Sequence, residues 1–204
     1  FALALYDARD HSLLLVRDRF GIKPLYWAEI AGGGVVFASE PKALFASGLI
    51  APAVNEAAIP LYLAHGWVPA PETLYKGVHK LPPGHSLRID AGGRRTLRRY
   101  WHLAPDADAP RTMDEAAERL TALLAESVAM QLRSDVPLGV LLSGGVDSGL
   151  IAALAASELD RPLKAFTVRF EGAAYDETPL AAEVAARYGI EHTVLDVPAR
   201  GIGD

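Results

Sequence analysis

The string Ser143-Gly144-Gly145-Val146-Asp147-Ser148 constrains this chain more than any other stretch. It follows a continuous apolar run at 138–142 and leads into an alanine-rich segment at 148–157. An unbroken apolar run closed by glycines is the pattern of a strand buried in a parallel sheet. A strand, a Gly-Gly turn and a helix in this order put the turn at the carboxyl end of the strand, where open α/β sheets bind ligands. The amino end of the helix presents unpaired N–H groups and partial positive charge to an anion. Glycine allows close approach of the backbone, and Ser143 and Ser148 add hydroxyl donors. Asp147 would repel a bare phosphate. It suits a phosphate that arrives with Mg²⁺, which binds through one or two carboxylates plus phosphate oxygens. The alternative is a plain strand-to-helix turn, with glycines for the bend and Ser or Asp as a cap. The turn carries neither a Walker Gly-Lys-Ser/Thr nor a Gly-x-Gly-x-x-Gly fingerprint.

The segments around this loop keep the same grammar. Thr112-Met113-Asp114-Glu115 fits a capping box. Ala116, Leu120, Leu123, Leu124, Val128 and Gln131 follow at helical spacing. A second strand is expected at 163–170. Thr178 as N-cap with Pro179 behind it opens a helix that Gly189 ends, and a third strand is expected at 192–197. The order αβαβαβ predicts an α/β doubly wound parallel sheet.

The first half reads differently. Apolar runs at 1–6 and 12–16 flank a polar turn, and further strands are expected at 23–27 and 35–39, with Gly32-Gly33-Gly34 between them. Asn55 is placed to cap a short helix through Ala64, stopped by Gly66. A last hairpin runs over 85–90 and 96–101. This half is expected to be α+β with antiparallel strands. Residues 1–104 carry 12 Lys+Arg against 8 Asp+Glu, and residues 105–204 carry 8 against 17, within a net charge of -5. The asymmetry predicts two domains, 1–104 and 113–204, joined by a Pro- and Asp-rich linker at 105–112.

With half its residues hydrophobic and 22% charged, the chain is globular in composition. It contains no cysteine, so within these residues there is no disulfide, thiolate zinc site, iron–sulfur cluster or cysteine nucleophile. Neither half is basic enough to make nucleic acid the expected partner. No apolar run nears the ~18 residues of a membrane span, and Phe1–Asp7 has no basic leader region. The expected location is cytoplasmic, without a membrane or nucleic-acid partner.

Residues 143–148 resemble the pyrophosphate loop, SGGxDS, of the ATP pyrophosphatase superfamily, whose members split ATP between the α and β phosphates. The longer string Ser134-Asp135-Val136-Pro137-Leu138-Gly139-Val140-Leu141-Leu142, with Phe166-Thr167-Val168 and Tyr175-Asp176-Glu177, resembles the start of the synthetase domain of glutamine-hydrolysing asparagine synthetases. Arg17-Asp18-Arg19-Phe20-Gly21-Ile22-Lys23-Pro24-Leu25-Tyr26, Ala38-Ser39-Glu40-Pro41-Lys42-Ala43-Leu44 and Lys80-Leu81-Pro82-Pro83-Gly84-His85 resemble the later part of that family's class II, Ntn-like glutaminase domain.

The resemblance implies an ATP- and Mg²⁺-dependent amidoligase acting on glutamine, aspartate and ATP, and it leaves room for a homodimer. It implies that Ser143, Gly144, Gly145, Asp147 and Ser148 meet the ATP phosphates, with Asp147 on Mg²⁺. It also implies that Leu141 and Val168 contact the adenosine, although either can equally be strand core. The family's glutaminase nucleophile is an N-terminal cysteine, so no catalytic residue is assigned here. The family's second nucleotide motif, SGEGSDE, is also absent, and the resemblance implies an internal piece of a longer synthetase that is inactive alone. A related amidotransferase or ring-closing synthetase with another carboxylate substrate, and a non-catalytic nucleotide-binding module, are the alternatives. Arg17 with Asp18, and Glu40 with Lys42, read as structural ion pairs. Asp176 and Glu177 read first as acids favouring a helix start. The six His show no metal-ligand spacing, and Trp67 and Trp101 read as core or interface anchors.

Overall fold

Asp7 and Asp10 fold the first turn. The Asp7 carboxylate accepts from the Arg9 N–H and that of Asp10 from the Ser12 N–H, both at 3.0 Å, as Asx turns do. The turn joins β1 (Ala2–Asp7) to β2 (Ser12–Arg17) in an antiparallel pair with Asp7 opposite Ser12. The computed structural model describes residues 1–105, 108–170 and 176–198, and contacts divide the chain into two units, Phe1–Pro105 and Asp106–Asp204.

In the first unit, β6 (His85–Ile89) and β7 (Arg95–Arg99) extend the hairpin into a four-stranded antiparallel sheet of order β1-β2-β6-β7. Leu15, Leu87 and Ile89 face its core with Leu25 and Leu81. β7 is exposed throughout and carries Arg95, Arg98 and Arg99, and charge of this kind blunts an open sheet edge. A second sheet, β4-β3-β5, joins Tyr26–Glu29 (β3), Val35–Ala38 (β4) and Val78–Lys80 (β5). Leu44 from helix α1 (Pro41–Ala46) packs on Ala28 and Val78.

Arg17 and Asp18 are structural, but they do not pair with each other. The Arg17 guanidinium donates to the carbonyls of Lys23, Leu81 and Gly21 at 2.8–3.0 Å. The buried Asp18 carboxylate accepts from the N–H groups of Phe20, Ile22 and Lys23 at 3.0–3.1 Å, with the Phe1 amine at 3.3 Å. The two side chains thus take opposite poles of one loop. This explains why β3 begins at Tyr26 instead of Lys23: both backbone groups of Lys23 are committed to side chains. Gly21 takes φ 66, and a Cβ there would lie 2.8 Å from Pro83, so the loop closes only around glycine. Burial works to raise the Asp18 pKa. The N–H groups of Lys23 and Ile22, the Phe1 amine and the Phe20 N–H outweigh it and hold the carboxyl well below the usual range.

The other expectations for this unit fare differently. Asn55 does not cap a helix; its amide donates to the Thr73 carbonyl at 3.1 Å, and a 3₁₀ turn (Glu56–Ala58) precedes α2 (Ile59–His65). Glu40 and Lys42 do pair, but at the surface. Trp67 is exposed, with the Lys80 ammonium 5.7 Å from its ring centre, while Trp101 meets Phe20 edge-on at 4.9 Å.

The second unit runs α3 (Met113–Gln131), β8 (Gly139–Leu141), α4 (Val146–Ser157), β9 (Lys164–Phe170), α5 (Thr178–Tyr188) and β10 (Glu191–Val197). The capping box at Thr112 and Glu115 closes in both directions, an arrangement worth about 1 kcal/mol. Only the last part of the α3 stripe packs; Val128 is buried, whereas Leu120 and Leu123 are exposed. The three strands are parallel in the order β10-β9-β8. Ala152 and Ala155 of α4 and Ala181 and Ala185 of α5 meet Ala165 in the core. Small side chains let these helices lie close to the sheet.

Strand order follows chain order, so right-handed crossovers place α4 and α5 on one face, and the two helices touch. The reversal and second helical layer of a doubly wound sheet are not present among the described residues. Phe166, Val168 and Phe170 alternate onto the opposite face, where Val168 and Phe170 are exposed. α4 starts at Val146, two residues earlier than expected, and α5 has Glu177 at its N-cap position in place of Thr178. Gly189, at φ 64, closes α5 as expected.

Candidate active site

The phosphate-type loop leaves β8 after Leu142, whose N–H makes a last sheet bond to Phe166 O at 2.9 Å. The Leu142 side chain is buried in the helix-side core, which anchors the strand end. Ser143 then turns away. Its N–H donates to Ser148 Oγ at 3.2 Å, and the two hydroxyls lie 2.8 Å apart. Gly145 N–H reaches Ser143 Oγ at 3.3 Å. Ser148 Oγ also lies 3.2 Å from Gly145 O, so Ser143 and Ser148 hold the loop as well as offering polar atoms to a ligand.

Gly144 is required by a close approach. A Cβ there would sit 2.9 Å from Leu180 Cβ and 3.0 Å from both the Cβ and the carbonyl oxygen of Glu177. The loop therefore rests directly on the start of α5. Asp147 lies in the first turn of α4, exposed, and makes no hydrogen bond or ion pair among the described residues. Its position relieves the exposed N–H groups of the helix start and leaves both carboxylate oxygens available.

A cleft of about 420 Å³ opens beside the loop, at the carboxyl ends of β8 and β9. Leu141, Ser143 and Val168 line it with Phe166, Thr167, Arg169, Phe170, Asp176, Glu177 and Thr178. Gly144, Gly145, Asp147 and Ser148 continue from Ser143 into α4 and are not among the lining residues. Leu141 and Val168 are not strand core; they are 79% and 44% exposed and offer an apolar wall. Arg169 is engaged by Asp196 at 2.6 Å, a carboxylate contact that raises its pKa. The acids at the α5 start behave in part as helix acids: Asp176 accepts from the Thr178 N–H at 2.9 Å, and the Thr178 hydroxyl oxygen is buried without a hydrogen-bond partner among the described residues. Tyr175, read together with them, lies outside the described residues, as do Asp106 and Ala107 of the expected linker. No cluster of three or more His, Asp or Glu suited to a metal occurs among the described residues.

Two residues under the loop were missed by sequence reasoning. Thr167 is buried, and its hydroxyl donates to the Leu142 carbonyl at 2.5 Å while His192 Nε2 lies 2.7 Å away. The available signal was a hydroxyl inside an otherwise apolar strand, since a buried hydroxyl must find a partner.

Two family models match the chain. The model of the glutamine amidotransferase domain matches residues 1–101 and that of asparagine synthase residues 119–202. The chain is 36% identical over 192 residues to glutamine-hydrolysing asparagine synthetase 1 of Bacillus subtilis, covering 94% of this chain and 30% of the relative. Asparagine synthetase 3 of the same organism is 31% identical, over 84% of this chain and 28% of its own length. A protein named as an amidase in Penicillium rubens is 32% identical, over 94% of this chain and 30% of its own length. The chain thus spans about three tenths of the length of these curated relatives. No helix among the described residues is long and apolar enough to cross a membrane.

Proposed function

Because the chain belongs to the glutamine-hydrolysing asparagine synthetase family, we propose that it is part of an ATP-dependent enzyme that adenylates aspartate and amidates it with ammonia from glutamine. In this reading residues 1–104 belong to the glutaminase domain, 105–112 connect, and 113–204 belong to an ATP pyrophosphatase-type synthetase domain. The observation that carries it is the pairing of the Ser143–Ser148 loop with the cleft at the carboxyl ends of two parallel strands. The adenosine lies against Leu141 and Val168. The phosphates lie toward Ser143, Gly144, Gly145 and Ser148, where the first N–H groups of α4 have no partner of their own.

Asp147, exposed and unengaged among the described residues, suits Mg²⁺, which needs only one or two carboxylates because substrate phosphate oxygens supply much of its shell; Asp147 would hold it. Bound there, Mg²⁺ would neutralise the charge that grows on the departing pyrophosphate. The aspartate β-carboxylate attacks the α-phosphorus and pyrophosphate leaves, giving an acyl adenylate. Ammonia then adds to the acyl carbon and AMP departs. The role of this loop is to stabilise the leaving pyrophosphate, with fixed donors that need no rearrangement. As a soluble small-molecule ligase the enzyme belongs in the cytoplasm.

A second reading is amidation of another carboxylate at the same site; a relative named as an amidase supports it only so far as a relative bears a name other than asparagine synthetase. The test uses the enzyme that carries these residues. With Mg·ATP, glutamine and aspartate it is expected to form asparagine, AMP and pyrophosphate, and Asp147→Asn is expected to suppress AMP formation about 10²-fold. AMP formation with a different carboxylate but not with aspartate would favour the second reading. AMP formation undiminished in Asp147→Asn would remove the metal role.

A further inference from the structure

The peptide between Leu142 and Ser143 lies just past β8 and is the first of the loop. It is held at both ends. Thr167 Oγ donates to its carbonyl at 2.5 Å, and its N–H donates to Ser148 Oγ at 3.2 Å. A peptide unit is planar, so fixing the carbonyl also fixes the direction of the N–H. The regular ladder does not supply the carbonyl partner, because the chain leaves the sheet here. A side chain from the neighbouring strand does so.

The Thr167 hydroxyl has one hydrogen, and the Leu142 carbonyl takes it. His192 Nε2, at 2.7 Å from the same oxygen, must then be the donor, which fixes the imidazole with its proton on Nε2. The chain of bonds runs from His192 on β10 through Thr167 on β9 to the end of β8. Thr167 is buried and His192 half-buried, where such chains reinforce one another.

We propose that Thr167, oriented by His192, is a positioning residue that clamps the Leu142–Ser143 peptide and thereby sets the geometry of the phosphate loop. The proposal deepens the phosphate-site reading and rests on it for its ligand arm only. Removing the hydroxyl in Thr167→Val leaves shape nearly unchanged but strips the carbonyl and the imidazole of their partner. Thr167→Ser keeps the hydroxyl.

The test has two arms on the full 204-residue chain. In the first, amide hydrogen exchange at Ser143 is expected to quicken about tenfold in Thr167→Val and to return toward wild type in Thr167→Ser. Nitrogen chemical shifts of wild-type His192 are expected to show the proton on Nε2, a measurement that needs no variant to fold. A neutral ring protonated on Nδ1 with Nε2 bare, or unchanged Ser143 exchange in a folded Thr167→Val, overturns the clamp. In the second arm, Mg·pyrophosphate binding is expected to weaken about tenfold in Thr167→Val and recover in Thr167→Ser. Faster exchange with unchanged binding overturns the positioning role. Absence of pyrophosphate binding by the wild-type chain counts against the phosphate site itself, while the clamp is still judged by exchange and tautomer.

Discussion

Gly144→Ala is the sharpest perturbation of the loop. Three atoms would lie 2.9–3.0 Å from the new methyl group, whereas carbon contacts are comfortable at about 3.5–4.0 Å. Each neighbour must therefore retreat by about half an ångström. None is the tip of a flexible side chain: Leu180 Cβ, Glu177 Cβ and the Glu177 carbonyl are all fixed to the α5 backbone. Relief requires the start of α5 to move, and α5 is seated through Ala181 and Ala185, both buried. Overpacking of this kind costs about 1–3 kcal/mol, and the rigidity of the neighbours places Gly144→Ala at about 2–3 kcal/mol. Gly145→Ala is the control. Its φ of -78° and ψ of 155° suit alanine, and its nearest neighbour is the rotatable Ser143 hydroxyl at 3.3 Å. Trp27, Trp67 and Trp101 all lie in residues 1–105, so tryptophan fluorescence follows the first unit only. Urea unfolding by far-UV circular dichroism, with amide exchange of α4 and α5, follows the second. The expectation is a loss confined to the second unit in Gly144→Ala and near-neutral behaviour in Gly145→Ala. Equal stability of the two variants, within about 0.5 kcal/mol, would refute the argument that α5 sets the loop.

Gly149→Ala should instead stabilise the second unit by about 0.5–1 kcal/mol, because its Cβ would meet only Val184 Cγ2, at an ordinary 3.6 Å, inside α4; calorimetry checks it. Asp18→Asn should destabilise the first unit by about 2–3 kcal/mol, since an amide cannot replace a carboxylate that accepts three N–H groups, and tryptophan fluorescence in urea measures it. The folded Asp18 pKa is lowered, so its contribution is full above the unfolded value of about 3.9 and fades as pH falls below that toward the folded one. Wild type should lose stability over that acid range and Asp18→Asn should lose less; parallel pH profiles would refute the assignment.

The sequence was most legible where local chemistry decides structure. The capping box at Thr112, the apolar strand before Ser143 and the glycine that closes α5 each need only their neighbours. Where the sequence misled, a distant partner had taken over. Lys23 has the pattern of a strand, but Arg17 and Asp18 claim its backbone, and Asn55 has the pattern of a cap, but its amide reaches Thr73. Helix α1 and strand β5 were too short to show a period. The strand–loop–helix order around Ser143 was legible, but the exposure of Leu141 and Val168 on the cleft wall was not. Nor was the support beneath them: Thr167 and His192 are 25 residues apart and meet only because β9 and β10 pair in parallel register.

If the loop opening α4 receives phosphate together with Mg²⁺ held by Asp147, a phosphate ligand must report at the loop's own amides. The most direct measurement is titration of the nitrogen-labelled 204-residue chain with pyrophosphate, with and without Mg²⁺, read at the amides of Ser143, Gly144, Gly145 and Val146. Saturable shifts are expected at these amides, stronger with Mg²⁺, with that Mg²⁺ dependence lost in Asp147→Asn. Shifts confined to other residues, or a Mg²⁺ dependence unaltered by Asp147→Asn, would contradict this assignment.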